Sequence, residues 1–138
     1  MNIDKAAILL KKASLEAEKT MMPILQSYDL SVAQYKILKY LYNEPKDTVR
    51  IVDLESCYSM THPAVIDILK VLEKKGYTVR TVNPEDARSK IVSLTDKAYA
   101  AQEELEALGD EMEDAVTKNL NAEEREELIA LLKKLMGE

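Results

Sequence analysis

The stretch from Thr61 to Thr95 leaves this chain few folds to choose from. It opens with Thr61-His-Pro-Ala-Val-Ile-Asp-Ile-Leu-Lys-Val-Leu-Glu-Lys-Lys75. Val65, Ile68, Leu69 and Leu72 recur at three- and four-residue steps, which predicts an amphipathic helix with those residues facing inward. Thr61 is a good N-cap, and Pro63 falls in the first turn, where its missing N–H is one of the unpaired donors anyway. Gly76 ends the helix. Two short strands follow, Tyr77 to Val82 and Ile91 to Leu94, around the polar tip Asn83-Pro-Glu-Asp-Ala-Arg-Ser-Lys90.

The segment just before supplies a second helix, about Arg50 to Cys57, with Val52, Leu54 and Cys57 as its apolar positions. Tyr58-Ser-Met60 is the turn between the two. Helix, three-residue turn, helix is helix-turn-helix spacing. The hairpin adds to it, because its tip concentrates Arg88 and Lys90 where they can reach phosphates or the minor groove. Asp86 is two residues from Arg88 and is placed to fix the guanidinium. From spacing alone, a plain hairpin with a solvated polar turn stays open beside the DNA-reading wing.

Long helices flank this core. Ile3, Ala6, Ala7, Leu10, Ala13, Ala17 and Met21 mark a helix over 2–27, with Asn2 as a cap and Pro23 expected to kink or break it near Met22. Asp29-Leu-Ser31 is a connector, and Ser31 caps a helix over 32–43 with Ile37, Leu38 and Leu41 inside. Glu44-Pro-Lys-Asp47 breaks that helix. After the hairpin, Thr95-Asp96 starts a helix reaching about Asn119, striped by Leu105, Leu108, Met112, Ala115, Val116 and Leu120. Asn121 caps a last helix, with Glu124 completing a capping box and Leu128, Leu131, Leu132 and Leu135 along one face. Gly137 ends it.

The net charge of −6 over 138 residues argues against a nucleic-acid partner until it is localised. Residues 98–138 carry twelve acids and four Lys or Arg, whereas residues 46–97 carry nine Lys or Arg and eight acids. The acidic end can point away while the middle faces DNA. One cysteine, Cys57, and one histidine, His62, exclude an intrachain disulfide and a Cys/His zinc site. No Gly-rich loop or nucleophile elbow accompanies them, so no enzyme, no cofactor and no metal is expected. No apolar run approaches the ~18 residues of a membrane span, and the N-terminus lacks a signal-peptide pattern, which points to the cytoplasm.

Three motifs carry a family resemblance. Leu30-Ser-Val-Ala-Gln34, Leu72-Glu-Lys-Lys-Gly76, and Asn83-Pro-Glu-Asp86 with Arg88 before Val92-Ser-Leu-Thr95 resemble the corresponding segments of MarR-type transcriptional regulators over nearly the whole chain. The resemblance implies a mainly α fold with a small β-hairpin wing: a winged helix-turn-helix with long N- and C-terminal dimerisation helices. It implies one domain over 1–138, with the winged-helix DNA-binding lobe at 30–95 and the dimerisation helices at 1–29 and 96–138. It further implies a homodimeric, ligand-responsive repressor on double-stranded DNA, with reading helices about 34 Å apart on a near-palindromic operator. Unpartnered apolar stripes on the terminal helices agree with a two-fold partner.

The candidate DNA-contacting residues follow from this placement. Arg50 opens the short helix and Ser59 lies in the turn. Thr61, His62 and Ala64 are the first side chains to enter the groove, with Asp67 and Lys70 beyond them. Arg80, Asp86, Arg88 and Lys90 belong to the hairpin. Lys74 and Lys75 fall at the helix C-terminus, where a cation is favoured in any case.

This chain departs from the family where a small polar residue and then a basic one commonly stand, because it has Ile66 and Asp67. Val71 also occupies a position that is often Arg. A carboxylate near phosphates is repelled, by about 1 kcal/mol at short range in a solvated interface. It is equally able to accept from a cytosine amino group. The alternative is a degenerate winged helix that acts through protein–protein contacts.

Two further features have a local explanation. Cys57, on the apolar side of its helix, is expected to be a buried small hydrophobe. Met21, Met22, Tyr28, Tyr35 and Tyr40 are candidates for a crevice that takes a small aromatic or phenolic effector. Plain core is the competing role, since the chain has seven Tyr and no Phe or Trp.

Overall fold

The computed structural model describes residues 5–138, so the expected cap Asn2 and the stripe residue Ile3 lie outside the described residues. The elements are α1 (Ala6–Gln26), α2 (Val32–Asn43), β1 (Val49–Arg50), α3 (Ile51–Tyr58), α4 (His62–Lys74), β2 (Thr78–Asn83), β3 (Asp86–Leu94), α5 (Asp96–Ala100), α6 (Gln102–Val116) and α7 (Ala122–Leu135). They fall into two compact units, one spanning Leu25–Ala107 and one made of the chain up to Ile24 together with Leu108–Glu138.

In the Leu25–Ala107 unit, α2 has the expected bounds because both its signals are local. Ser31 Oγ accepts from the Gln34 amide, and the Gln34 side chain accepts from the Ser31 amide, each at 3.1 Å. Ile37, Leu38 and Leu41 of α2, Leu54 of α3 and Val65, Leu69 and Leu72 of α4 form the buried core, closed by Val49, Val92 and Leu94 of the sheet.

Helix α3 is rotated from its expected face. Its inward residues are Ile51 and Leu54 with half-buried Tyr58; Val52 is 48% exposed, and Cys57 is exposed rather than buried. The cause is β1, a two-residue strand that the sequence pattern did not reveal. It pairs Val49 with Val92 and Arg50 with Ile91, which makes Ile51 the start of the stripe. Steps of three and four then land on Leu54 and Tyr58, whose hydroxyl donates to the Lys36 carbonyl at 2.8 Å.

The sheet has the order β1-β3-β2, all antiparallel. Strand β3 begins at Asp86, five residues before the expected Ile91. The connection shrinks to Pro84-Glu85, with Asn83 Oδ1 accepting from the Glu85 amide at 3.0 Å. The ladder runs regularly from Thr78 opposite Leu94 to Val82 opposite Lys90, then jumps to Asn83 opposite Asp86. Ala87, Arg88 and Ser89 thus bulge from β3. Arg88 and Lys90 belong to a strand, not to the loop tip expected of them.

Gly76 sits at φ +85°, where a side chain would be strained, and lets the chain leave α4 for β2. Leu94-Thr95 closes the hairpin: Leu94 is buried, and Thr95 Oγ1 donates to the Gly76 carbonyl at 2.6 Å while accepting from the Ala98 amide at 3.2 Å. The single helix expected after Thr95 is two segments, α5 and α6, meeting at Ala101.

Helix α1 runs through Pro23 to Gln26, so of the kink or break expected near Met22 the break does not occur. Its end is set by Leu25, which is fully buried, and by the Tyr28 and Asp29 amides bonding back to Leu25 and Gln26. Met112 of α6 is buried, but Val116, expected inside, is exposed. Asn121 and Glu124 form the expected capping box of α7, at 2.9 and 2.8 Å. Helix α7 buries no residue in the single chain, and Leu128, Leu131 and Leu135 are exposed. Ile8, Leu9, Leu15 and Met22 of α1 are exposed likewise.

Candidate nucleic-acid interface

Helix α4 presents two faces. Val65, Leu69 and Leu72 are fully buried, while Pro63, Asp67, Lys70, Val71 and Lys74 are exposed along the opposite side and His62 is exposed at the helix start. Thr61 Oγ1 accepts from the Ala64 amide at 3.3 Å and caps the helix. The turn before it is tight. Ser59 takes a left-handed conformation, φ 52°, and the Met60 amide returns to the Glu55 carbonyl at 3.0 Å. His62 therefore starts α4 beside α3, and its Nδ1 lies 3.2 Å from Glu55 Oε2.

The cations of this face mostly have carboxylate partners. Arg50 Nη2 stands 3.0 Å from Asp53 Oδ1, and its amide donates to Asp53 Oδ2 at 2.9 Å. Burial alone would raise the Asp53 carboxyl, but the hydrogen bonds and charge of Arg50 outweigh it and hold the carboxyl below the usual range. Arg80 of β2 is bound side-on by Glu73 of α4, at 3.1 Å from Nε and 2.9 Å from Nη2. Both are three-quarters buried, so this pair ties the base of the wing to the end of the helix. Lys75 turns the other way, donating to Gln34 Oε1 at 3.2 Å and to the Asp29 carbonyl, so it is a brace rather than part of the exposed face.

The wing is different. Arg88 is 94% exposed; its amide donates to Asp86 Oδ1 at 3.0 Å, and its Nε is 3.5 Å from the same oxygen. Asp86 thus orients the backbone of the bulge more firmly than it orients the guanidinium. Lys90 is exposed.

An open concavity of about 480 Å³ lies between α3, the start of α4 and the wing. It gathers Arg50, His62, Arg80, Asp86, Arg88 and Lys90 from the expected residues. Ser59, Thr61 and Ala64 stand at the turn and cap, and Asp67 and Lys70 are on the outward stripe of α4. The concavity also holds Val52, Glu55 and Ser89, which sequence reasoning did not single out. Glu55 was findable in hindsight, seven residues before His62 across a short turn. Ser89 was not, since its place depends on the bulge.

The aromatic candidates separate. The Tyr28 hydroxyl donates to Glu104 Oε2 at 2.5 Å, and the Tyr35 hydroxyl donates to the Leu105 carbonyl at 3.5 Å. Tyr40 lies on another face of α2, its ring edge-on to Tyr58 at 6.3 Å. Met21 is half-buried and Met22 exposed, both on α1. Burial pushes the Tyr58 hydroxyl up to about 12, which keeps it protonated and a donor.

A three-stranded sheet ending in a wing, set against a capped helix-turn-helix, defines a winged-helix transcriptional regulator. Residues 19–105 match the family model described as transcriptional regulator SarA/Rot. The chain belongs to that family. Solved structures agree over almost its whole length. It is 29% identical to apo wild-type MarR from E. coli, covering 97% of this chain and 98% of that one, with a TM-score of 0.80. It is 28% identical to S. aureus MepR in a DNA complex, covering 96% and 97%, with a TM-score of 0.82. It is 26% identical to the transcriptional repressor CouR bound to a 23-mer DNA duplex, covering 99% and 98%, with a TM-score of 0.85. The MarR-type winged helix expected from the sequence is the fold. A regulator family, not an enzyme, is what the chain matches, and nothing in these likenesses favours the protein-docking alternative. Among the described residues, no helix is long and apolar enough to cross a membrane.

Proposed function

We propose that this regulator binds double-stranded DNA as a homodimer, with the outward stripe of α4 in the major groove and the wing over the neighbouring backbone. The observation that carries it is the concavity that brings Arg50, His62, Arg88 and Lys90 beside the start of α4. The interface is lightly charged, because Arg50 and Arg80 already have carboxylate partners. Lys70, Lys90 and Arg88 then supply most of the phosphate attraction, so binding is weak and falls steeply with salt. DNA complexes of MepR and CouR support the choice of partner.

The open apolar faces of α1 and α7 support the homodimer. A second copy would cover Ile8, Leu15, Leu128, Leu131 and Leu135, which one chain leaves to water. The work is repression of transcription in the cytoplasm. No effector is part of this proposal, because the Tyr28 and Tyr35 hydroxyls are bonded within the chain and Tyr40 packs on Tyr58.

A fluorescence-anisotropy titration of a labelled duplex from the protein's own promoter region tests it. Saturable binding at low salt that weakens by two or more decades between about 50 and 200 mM salt is expected. No binding at low salt overturns the proposal.

A further inference from the structure

Helices α3 and α4 together carry four carboxylates. Asp53 is paired with Arg50, Glu55 with His62 and Glu73 with Arg80. Asp67 makes no hydrogen bond and no ion pair among the described residues, not even with Lys70 one turn further along the same exposed stripe. It also lies beyond the first turn of α4, so it caps nothing. Aspartate in a helix interior is locally unfavourable, since its side chain competes for the backbone and adds nothing there. A residue that breaks a local rule without an internal return points outward for its reason.

Resting on the DNA-binding proposal above, we infer that Asp67 reads sequence, accepting a hydrogen bond from the N4 amino group of a cytosine in each half-site. The chemistry excludes the other partners. Phosphates repel a carboxylate. In the major groove guanine offers only acceptors, and thymine offers an acceptor and a methyl group. Adenine has an amino donor, but its N7 acceptor lies beside it and repels the second carboxylate oxygen. Cytosine has no acceptor on its own major-groove edge: its amino group is flanked there by C5–H, and the nearest acceptor is the O6 of the paired guanine on the other side. Asp67 is placed for the task, in the N-terminal half of a helix that fully buried Val65 and Leu69 hold in position.

The test is enrichment of bound duplexes from a random pool with the wild type, Asp67→Asn and Asp67→Ala. Asp67 is exposed and unpartnered, so both variants keep the fold, which their thermal unfolding checks. The wild type is expected to enrich a motif with one cytosine per half-site preferred by about tenfold. In Asp67→Asn that position shifts toward adenine, whose N6 and N7 an amide matches, and in Asp67→Ala it becomes indifferent; the rest of the motif is unchanged. The same motif from all three proteins, with only a uniform gain in affinity for the variants, overturns the inference and leaves the DNA-binding proposal standing. A wild type that retains duplexes but enriches no motif overturns the inference alone, and one that retains no duplex at low salt overturns both.

Discussion

Helix α4 places Val65, Leu69 and Leu72 at zero exposure, whereas from Val79 to Ile91 the hairpin has no fully buried residue and its deepest charged side chain is the three-quarters-buried Arg80 at its base. The two elements are joined at the base by Gly76 and by the Glu73–Arg80 pair, but they are anchored very differently. A helix pinned along a whole face holds its outward side chains in fixed positions, which discrimination between bases requires. A hairpin held only at its root delivers charge to a neighbourhood and fixes no donor against a particular base edge. In the proposed complex the lobe thus separates its tasks: α4 supplies specificity at modest charge, and the wing supplies sequence-independent attraction.

The largest effect comes from breaking the anchored half. Leu69→Ala empties a fully buried position under the reading face. A loss of about 2–5 kcal/mol in unfolding free energy is expected, read by urea denaturation, with DNA binding lost in parallel. A loss under about 1 kcal/mol would mean that α4 is not held by its core, and the contrast with the wing would collapse.

The unanchored half is probed by Arg88→Ala with Lys90→Ala. Neither side chain is buried, so stability should stay within about 0.5 kcal/mol of the wild type. Affinity should fall alike for every duplex, and the slope of log K against log salt should become shallower by roughly 4, about one for each of the two phosphate contacts removed from each protomer of the dimer. A change in the preferred sequence instead of the slope would give the wing a reading role.

The seam between them is tested by Glu73→Gln. Arg80 then keeps a partly buried guanidinium with a weaker acceptor, and a loss of about 1 kcal/mol is expected in unfolding. An unchanged midpoint would show that the backbone at Gly76 sets the wing without help.

What the sequence made legible follows the same divide. Ser31 with Gln34 and Asn121 with Glu124 announce their helices because each cap is closed within four residues. The stripe of α4 reads directly from its period. By contrast, β1 exists only because Val49 and Arg50 meet Val92 and Ile91 some forty residues on, and without it the face of α3 could not be placed. The polar run from Asp86 to Lys90 has no strand pattern, and only pairing with β2, of Lys90 with Val82 and Asp86 with Asn83, draws it into β3. Among the ion pairs, Arg50–Asp53 was readable from its three-residue spacing, while Glu73–Arg80 spans a helix end, a glycine and a strand.

The smallest effect concerns the pair at the entry to α3, and it has a sign. Asp53 is held below its ordinary pKa, so the unfolded chain takes up that proton more readily than the folded one. The stability it contributes is therefore complete above the ordinary aspartate value of about 3.9 and is lost as pH falls through the lower folded value. Asp53→Asn keeps the shape and an acceptor for the Arg50 amide but removes the charge. Its unfolding midpoint should sit slightly below that of the wild type from pH 7 to about 5, and the gap should close as the pH drops below about 4. A gap that persists at low pH would assign the effect to the amide cap of α3 rather than to the charge of Arg50, and would leave that guanidinium more available to a phosphate than its present geometry implies.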